Sequence, residues 1–196
     1  MRLIESETKN IKELLEGIFE STMICLASIP SYDVAPSYTA IKISEEIHTK
    51  GKVLYVTLEI SKKAIEEEIL KINPNIDFNN IKIVDGIDVN IDKIIDIIEI
   101  DKDIKCIIID DINCLRNTKS YSDIVYELKK VASSSKLVIF ASFVLHRNVE
   151  KDIEKRSNRK FVLSDIDRSG LDHSAFDKII FLYRDDKIKY ELINVK

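Results

Sequence analysis

The stretch that decides the fold covers residues 146–186 and reads HRNVEKDIEKRSNRKFVLSDIDRSGLDHSAFDKIIFLYRDD. Its first part, Arg147 to Lys160, is strongly charged and is predicted to be a loop or an exposed helix. Its last part, Lys178 to Tyr183, is an apolar run of the kind that forms a buried strand. A second stretch that reads as a strand, Lys187 to Val195, follows, so we expect the chain to close with two paired strands that turn at Asp185-Asp186.

Upstream of this stretch, short apolar runs alternate with amphipathic segments, which is typical of a parallel sheet covered by helices. Ser61 is a suitable N-cap for one of the helices, and Pro74 ends it. We therefore predict one α/β domain over residues 1–196, with a doubly wound, mainly parallel sheet of six or seven strands flanked by helices. The predicted strands are 23–27, 53–58, 81–84, 104–110 and 136–143, and the predicted helices are 37–47, 61–70, 91–98 and 121–132.

The predicted sheet also indicates where a ligand would bind. In doubly wound sheets, ligands lie beyond the carboxyl ends of the strands. The residues at those ends are Ser28 to Ala35, Glu59, Asp110, Asp111, and Val144 to Arg147. These positions are the first candidates for a functional site.

Eight short pieces of the sequence carry a resemblance to a known family. The pieces are Thr57-Leu58-Glu59-Ile60-Ser61, Ile107-Ile108-Ile109-Asp110, Leu128-Lys129-Lys130-Val131-Ala132, Arg147-Asn148-Val149-Glu150, Ser164-Asp165-Ile166, Ser169-Gly170, Asp177, and Phe181-Leu182-Tyr183-Arg184-Asp185. They occur in the order and at the spacing found in the motor domain of DnaB-type replicative DNA helicases, which the sequence resembles over about residues 10–196. The resemblance implies a RecA-like fold.

The main departure from the family lies in the phosphate-binding loop. Where the family has A-R-P-S-M-G-K-T, this chain has Ser28-Ile29-Pro30-Ser31-Tyr32-Asp33-Val34-Ala35. The alignment places Asp33 at the Gly, Val34 at the Lys and Ala35 at the Thr, so it predicts no glycine turn, no ammonium group and no hydroxyl for Mg²⁺. Pro36 removes a further N–H from the helix start. The sequence therefore predicts a degenerate loop without normal ATP binding.

Two family positions of catalytic importance keep their acids. The resemblance gives Glu59 the position of the catalytic base and Asp110 that of the Mg²⁺-linked acid. We expect both to be vestigial, because Val144 replaces the family's γ-phosphate-sensing Gln, and because the family's arginine finger would follow Lys196. ATP and Mg²⁺ would be cofactors only of an atypical ATPase. No other cofactor is expected, and His48, His146 and His173 lack metal-ligand spacing.

The charged stretch is the candidate contact surface for DNA or for a protein partner. The acids Glu150, Asp152 and Glu154 interrupt its basic residues, so we expect feeble DNA binding and better docking on an acidic patch of a protein. Reversing two of these charges, Arg156 and Arg159, is expected to leave the melting temperature nearly unchanged. The basic residues are Arg147, Lys151, Lys155, Arg156, Arg159 and Lys160.

Composition narrows the function classes. The formal net charge of −4 gives no general attraction to nucleic acid. The apolar runs are too short to span a membrane. Cys25 and Cys106 lie in apolar runs as reduced core thiols, which favours a cytoplasmic protein.

The favoured function is a non-catalytic interaction protein linked to DNA replication or mobile elements. Its expected partner is a helicase or another replication protein, and it could also form a homo-oligomer. The alternatives are an ATPase or helicase subunit with an atypical nucleotide site, and an ATP-independent DNA-binding module.

Overall fold

The computed structural model describes residues 2–5, 15, 18, 20–29, 36–115, 120–156, 161–184 and 188–195. Within these residues, eight strands form one sheet. They are β1 (Arg2–Glu5), β2 (Met23–Ser28), β3 (Lys52–Thr57), β4 (Ile81–Asp85), β5 (Ile104–Asp110), β6 (Val138–Val144), β7 (Lys178–Arg184) and β8 (Ile188–Asn194).

The strand order across the sheet is β1-β8-β7-β2-β6-β5-β3-β4. The strands from β7 to β4 pair in parallel, and β8 pairs antiparallel with both β7 and β1. The predicted mainly parallel α/β sheet and the closing strand pair are therefore confirmed. The sheet has one strand more than predicted, because β1 is only four residues long and shows no apolar run of its own.

Six helices connect and cover these strands in the described residues. They are α1 (Pro36–Ile47), α2 (Lys62–Ile72), α3 (Ile91–Ile100), α4 (Tyr121–Ser135), α5 (Arg147–Lys155) and α6 (Leu163–Arg168). Single-turn 3-10 helices lie at Phe78–Asn80, Ile112–Cys114 and His173–Ala175. The Ser61 hydroxyl accepts a hydrogen bond from the Ala64 N–H, which confirms the predicted N-cap of α2.

Both faces of the sheet are buried. One face packs against α1 and α2, where Ile41 and Ile65 join the sheet residues Leu26 and Tyr55 in one apolar cluster. The opposite face packs against the remaining helices and includes Ile94 and Leu128 among its buried residues. Burial on both faces explains why the central strands read as continuous apolar runs rather than alternating ones.

Two local predictions need correction, and one lies outside the described residues. Strand β6 begins at Val138 rather than at residue 136, because Lys136 takes a left-handed conformation (φ 54°, ψ 44°) that ends α4. Helix α6 was not predicted, since its six residues are mostly polar. The turn expected at Asp185-Asp186 lies outside the described residues.

None of the described helices combines the length and the hydropathy required to cross a bilayer.

Candidate functional site

A buried carboxylate at the end of β5 is the centre of the candidate site. Asp110 is 5% exposed and accepts hydrogen bonds from three hydroxyl groups. The Ser37 and Ser142 hydroxyls donate to Oδ1 across 2.9 and 3.1 Å, and the Tyr55 hydroxyl donates to Oδ2 across 3.0 Å. These donors come from α1, β6 and β3, so Asp110 ties three neighbouring elements together at the carboxyl edge of the sheet.

A cavity of about 170 Å³ opens beside Asp110. Glu59 lies at its rim after β3, where the Thr57 hydroxyl holds the turn by donating to the Ile60 carbonyl across 2.8 Å. The two acids that the resemblance singled out, Glu59 and Asp110, therefore line one cavity, as the position of their strand ends predicted. The full lining is Pro36, Ser37, Thr57, Glu59, Ile60, Asp110, Asp111, Ser142 and Val144.

The electrostatics of this cavity disfavour negative charge. Burial raises the pKa of the Asp110 carboxyl, although its three hydroxyl donors act in the opposite direction. Burial also raises the pKa of the Asp111 carboxyl to about 6, with smaller contributions from the charges of Asp110 and Glu59. The peptide bond between Asp110 and Asp111 is cis. Three carboxylates share this small space, and the described lining holds no Lys or Arg.

Ser37 is a residue of the candidate site that the sequence analysis did not single out. Alignment with the family put Ala35 at the Thr position and predicted that this position offers no hydroxyl for Mg²⁺. Helix α1 begins at Pro36, and the Ser37 hydroxyl in its first turn donates a hydrogen bond to Asp110. The signal for it in the sequence was a Ser immediately after Pro36, at the expected start of a helix.

The rest of the predicted loop is only partly described. Ser28 is the last residue of β2, is 2% exposed, and accepts a hydrogen bond at its carbonyl from the Leu145 N–H. Asp33, Val34 and Ala35 lie outside the described residues. Val144 lines the cavity, and its carbonyl accepts a hydrogen bond from the Asn113 amide across 3.2 Å.

The described part of the charged stretch begins with α5, so the helix alternative is the correct one for Arg147–Lys155. Arg147, Lys151 and Lys155 are spaced four residues apart and are all exposed, so they form a basic stripe on the outer face of the helix. The inner face is buried through Val149 and Ile153. Arg159 and Lys160 lie outside the described residues.

Arg156 does not belong to this exposed stripe, which corrects the sequence analysis. Its guanidinium forms two parallel hydrogen bonds, 2.7 and 2.6 Å long, with the two carboxylate oxygens of Asp165, whose side chain is fully buried. This pair joins the end of α5 to α6, and a second ion pair between Asp152 and Arg168 braces the same two helices. Reversing the charge of Arg156 would therefore not leave stability unchanged.

Two other residues within the family-like pieces have clear structural roles. The Ser169 hydroxyl, which is 1% exposed, accepts a hydrogen bond from the His146 N–H at the start of α5. The Asp177 carboxylate accepts one from the Met23 N–H across 2.7 Å and pairs with Lys129. Both side chains therefore fix the ends of elements that surround the sheet.

The structure also assembles a small titratable cluster that sequence spacing did not indicate. Nδ1 of His173 lies 2.7 Å from an Asp167 oxygen, and Asp172 lies close enough for the three side chains to approach one point. Asp172 is already bound by the Tyr126 hydroxyl, which lowers the pKa of its carboxyl. A His–Asp hydrogen bond accounts for this arrangement at an exposed surface.

Known structures share this fold. The chain is similar to a solved structure described as an ATPase domain, with a TM-score of 0.73 and 22% identity over 90% of this chain and 75% of that one. It is also similar to a DnaB-like replicative helicase described together with its interactions with primase, with a TM-score of 0.66 and 22% identity. That match covers 89% of this chain and about half (51%) of the helicase chain. These likenesses confirm the RecA-like fold.

The family itself is shown by sequence. The search of curated proteins found no match to the chain. The family model described as the DnaB-like helicase C terminal domain matches residues 83–194, which is more than half of the chain. This region includes Asp110 and the helices α5 and α6. The chain therefore belongs to the DnaB-like helicase C-terminal domain family.

Proposed function

We propose that this chain is a DnaB-helicase-like domain over residues 1–196 that has lost normal ATP binding. It acts in the cytoplasm as a non-catalytic interaction or accessory protein linked to DNA replication or mobile elements. The observation that carries the proposal is that the hydroxyls of Ser37, Tyr55 and Ser142 already occupy three acceptor positions of the Asp110 carboxylate. We expect no bound cofactor.

The geometry around Asp110 supports this proposal. An acid that serves Mg²⁺ must turn an oxygen towards the ion or one of its waters. Here Oδ1 already accepts two hydrogen bonds and Oδ2 accepts one from a tyrosine that is fully buried in the core. Breaking these bonds would leave buried polar groups without partners, which costs about 1–3 kcal/mol for each group.

Charge supports it as well. A triphosphate entering the cavity would meet Glu59, Asp110 and Asp111. The sequence from Ser28 to Pro36 contains neither Gly nor Lys, so it lacks the flexible backbone and the ammonium group that hold phosphates in active relatives. Without compensating positive charge, phosphate binding at this edge is unfavourable.

The basic stripe of α5 is the proposed contact surface. Arg147, Lys151 and Lys155 carry three positive charges on the exposed side of α5, where Lys155 Nζ lies 3.8 Å from Asp152 Oδ1, and a protein with an acidic patch would complement them. Because one structural relative is described with its interactions with primase, replication proteins are the partners to test first. A second copy of this chain is a further candidate.

A specific observation favours a second candidate function. The hydroxyl of Ser37 stands where a phosphate loop would offer a metal ligand, and Glu59 remains at the cavity rim. An ATPase with an atypical nucleotide site would use these two residues together with Asp110. Its phosphate contacts would have to come from a partner.

Phosphate release from ATP with Mg²⁺ separates these two functions. We expect the wild-type chain and the variants Glu59→Gln and Asp110→Asn to show the same background rate. Both substitutions keep the approximate shape of the side chain, and far-ultraviolet circular dichroism would verify folding. Turnover by the wild type that both variants lose would support the atypical ATPase instead.

Single-stranded DNA binding tests the third possibility, a DNA-binding module. Three phosphate contacts give a slope of about −2 in a plot of log affinity against log salt, which means weak binding at physiological salt. Phe161 offers no stacking surface, because it is buried against Phe181 with ring centroids 4.5 Å apart. Tight binding at physiological salt that Arg147→Glu/Lys151→Glu removes and Lys102→Glu/Lys130→Glu retains would favour the DNA module.

A further inference from the structure

A second cavity lies at the opposite edge of the sheet from Asp110. It has a volume of about 340 Å³ and is bounded by the end of α1 and the amino ends of β5 and β6. Its floor is apolar and is formed by Ile47, Cys106 and Val138, with Leu15 and Ile18 at the side. A pocket of this size and polarity is suited to one large apolar group.

Three lysines surround this apolar floor. Lys50 follows α1, Lys105 lies in β5, and Lys136 ends α4, so the three ammonium groups come from separate elements. All three side chains are exposed, and no carboxylate of the described residues lies within 4.0 Å of their nitrogens. Glu20 is the acidic residue of the described lining. The rim therefore carries an excess of positive charge, because three lysines stand against one acid of the described lining.

The backbone positions two of these lysines. Lys136 is held in its left-handed conformation by an N–H to carbonyl hydrogen bond with Ala132. The methylene groups of Lys105 pack against Gly51. A Cβ atom added at residue 51 would lie 2.6 Å from the Cγ of Lys105 and 2.9 Å from the Cβ of Lys105. The absence of a side chain at residue 51 thus makes room for the Lys105 methylenes beside the cavity.

We propose that this cavity binds an acidic segment of a protein partner, with one aromatic or large aliphatic side chain in the apolar floor and neighbouring carboxylates on Lys50, Lys105 and Lys136. Charge complementarity selects the acidic segment. The apolar floor selects against a ligand that offers only phosphates, because such a ligand would leave the floor unfilled. This proposal holds whether or not the Asp110 cavity binds ATP, because the two cavities lie at opposite edges of the sheet.

Fluorescence anisotropy with a labelled peptide of four aspartates and a terminal phenylalanine tests the proposal on the full chain. Lys105→Glu/Lys136→Glu should weaken binding at least about tenfold. The matched reversal Lys63→Glu/Lys130→Glu changes the net charge equally at exposed positions outside both the cavity lining and the basic stripe of α5, and it should change affinity less than about threefold. Val138→Phe, which fills the cavity without changing charge, should also weaken binding.

A second peptide separates pocket filling from charge attraction. Replacing the terminal phenylalanine by serine should reduce affinity at least about fivefold, because the apolar floor then stays empty. Thermal melting of every variant distinguishes a loss of binding from a loss of folding. The proposal is overturned if the serine peptide binds as well as the phenylalanine peptide, if both double reversals weaken binding equally, or if the wild type does not bind the peptide.

Discussion

The Ser37 hydroxyl lies 2.9 Å from Oδ1 of Asp110 and donates a hydrogen bond to it, joining the first turn of α1 to the end of β5. Because Pro36 is the first residue of that helix, the pair Pro36-Ser37 stands in the order of the family's Lys-Thr. The hydroxyl bonded to Asp110 therefore lies two residues after Ala35, the position that sequence alignment gave to the family's Thr.

This difference predicts which repair of the loop restores phosphate binding. We expect Ala35→Gly/Pro36→Lys, which retains Ser37 as the hydroxyl, to gain more affinity for ADP with Mg²⁺ than Asp33→Gly/Val34→Lys/Ala35→Thr. The reason is that only the first variant places an ammonium group immediately before the hydroxyl bonded to Asp110. Isothermal titration calorimetry measures both. A larger gain by the triple variant would restore the alignment register.

The tyrosine bonded to Asp110 should be important for stability. Tyr55→Phe removes a buried hydroxyl donor from a buried carboxylate, and we expect a loss of about 2 kcal/mol in the free energy of unfolding. The matched control is Tyr126→Phe, because Tyr126 also donates to a carboxylate but is 44% exposed. Urea unfolding should show the control within about 0.5 kcal/mol of wild type. Equal losses in the two variants would mean that the buried Tyr55 hydrogen bond contributes no more to stability than the exposed Tyr126 hydrogen bond.

The raised pKa of Asp111 predicts a pH dependence of stability. Its pKa of about 6 in the folded protein exceeds the unfolded value of about 3.9, so its contribution to stability is fully present below about pH 4 and is lost as the pH rises through 6. Asp111→Asn keeps an oxygen that can accept the hydrogen bond from the Asn113 N–H.

Urea unfolding of wild type and Asp111→Asn across this pH range measures the difference. The variant should match the wild type near pH 4 and become more stable near pH 7, by up to about 3 kcal/mol. Parallel stability curves at all pH values would show that Asp111 titrates normally.

The ion pair between α5 and α6 gives a prediction that reverses the expectation from sequence. Arg156→Glu would place a second carboxylate beside the fully buried Asp165, and we expect a loss of about 3 kcal/mol or more. Lys151→Glu on the exposed stripe is the matched charge reversal and should change stability by less than about 0.5 kcal/mol. Thermal unfolding compares them. Nearly equal melting temperatures would mean that the pair contributes little to the fold.

The predictable part of the fold follows from burial on both faces of the sheet. Runs such as Met23 to Ala27 are apolar throughout, because helices cover both faces, and such runs can be recognised in a single sequence. The strand β1 escaped detection because it is a four-residue edge strand, and its partner β8 lies at the far end of the chain. No local sequence pattern indicates that two strands so far apart in the chain are paired.

The candidate site was predictable only where strand ends define it. Glu59 and Asp110 follow apolar runs, so their convergence could be expected. The bond from Ser37 to Asp110 depends on the length of a loop, and the bonds from Arg156 to Asp165 depend on how two short helices pack. Alignment and charge counting contain no information about either distance, which is why both roles emerged only in three dimensions.

The central claim is that the Asp110 cavity no longer binds ATP, and the melting temperature with and without ATP tests it most directly. A ligand at 100 times its dissociation constant adds about 2.7 kcal/mol to stability, which raises the melting temperature of a domain of this size by about 5 to 10 °C. We predict no shift beyond about 1 °C with millimolar ATP and Mg²⁺. A rise that grows with ATP concentration, and that Asp110→Asn abolishes, would contradict the account.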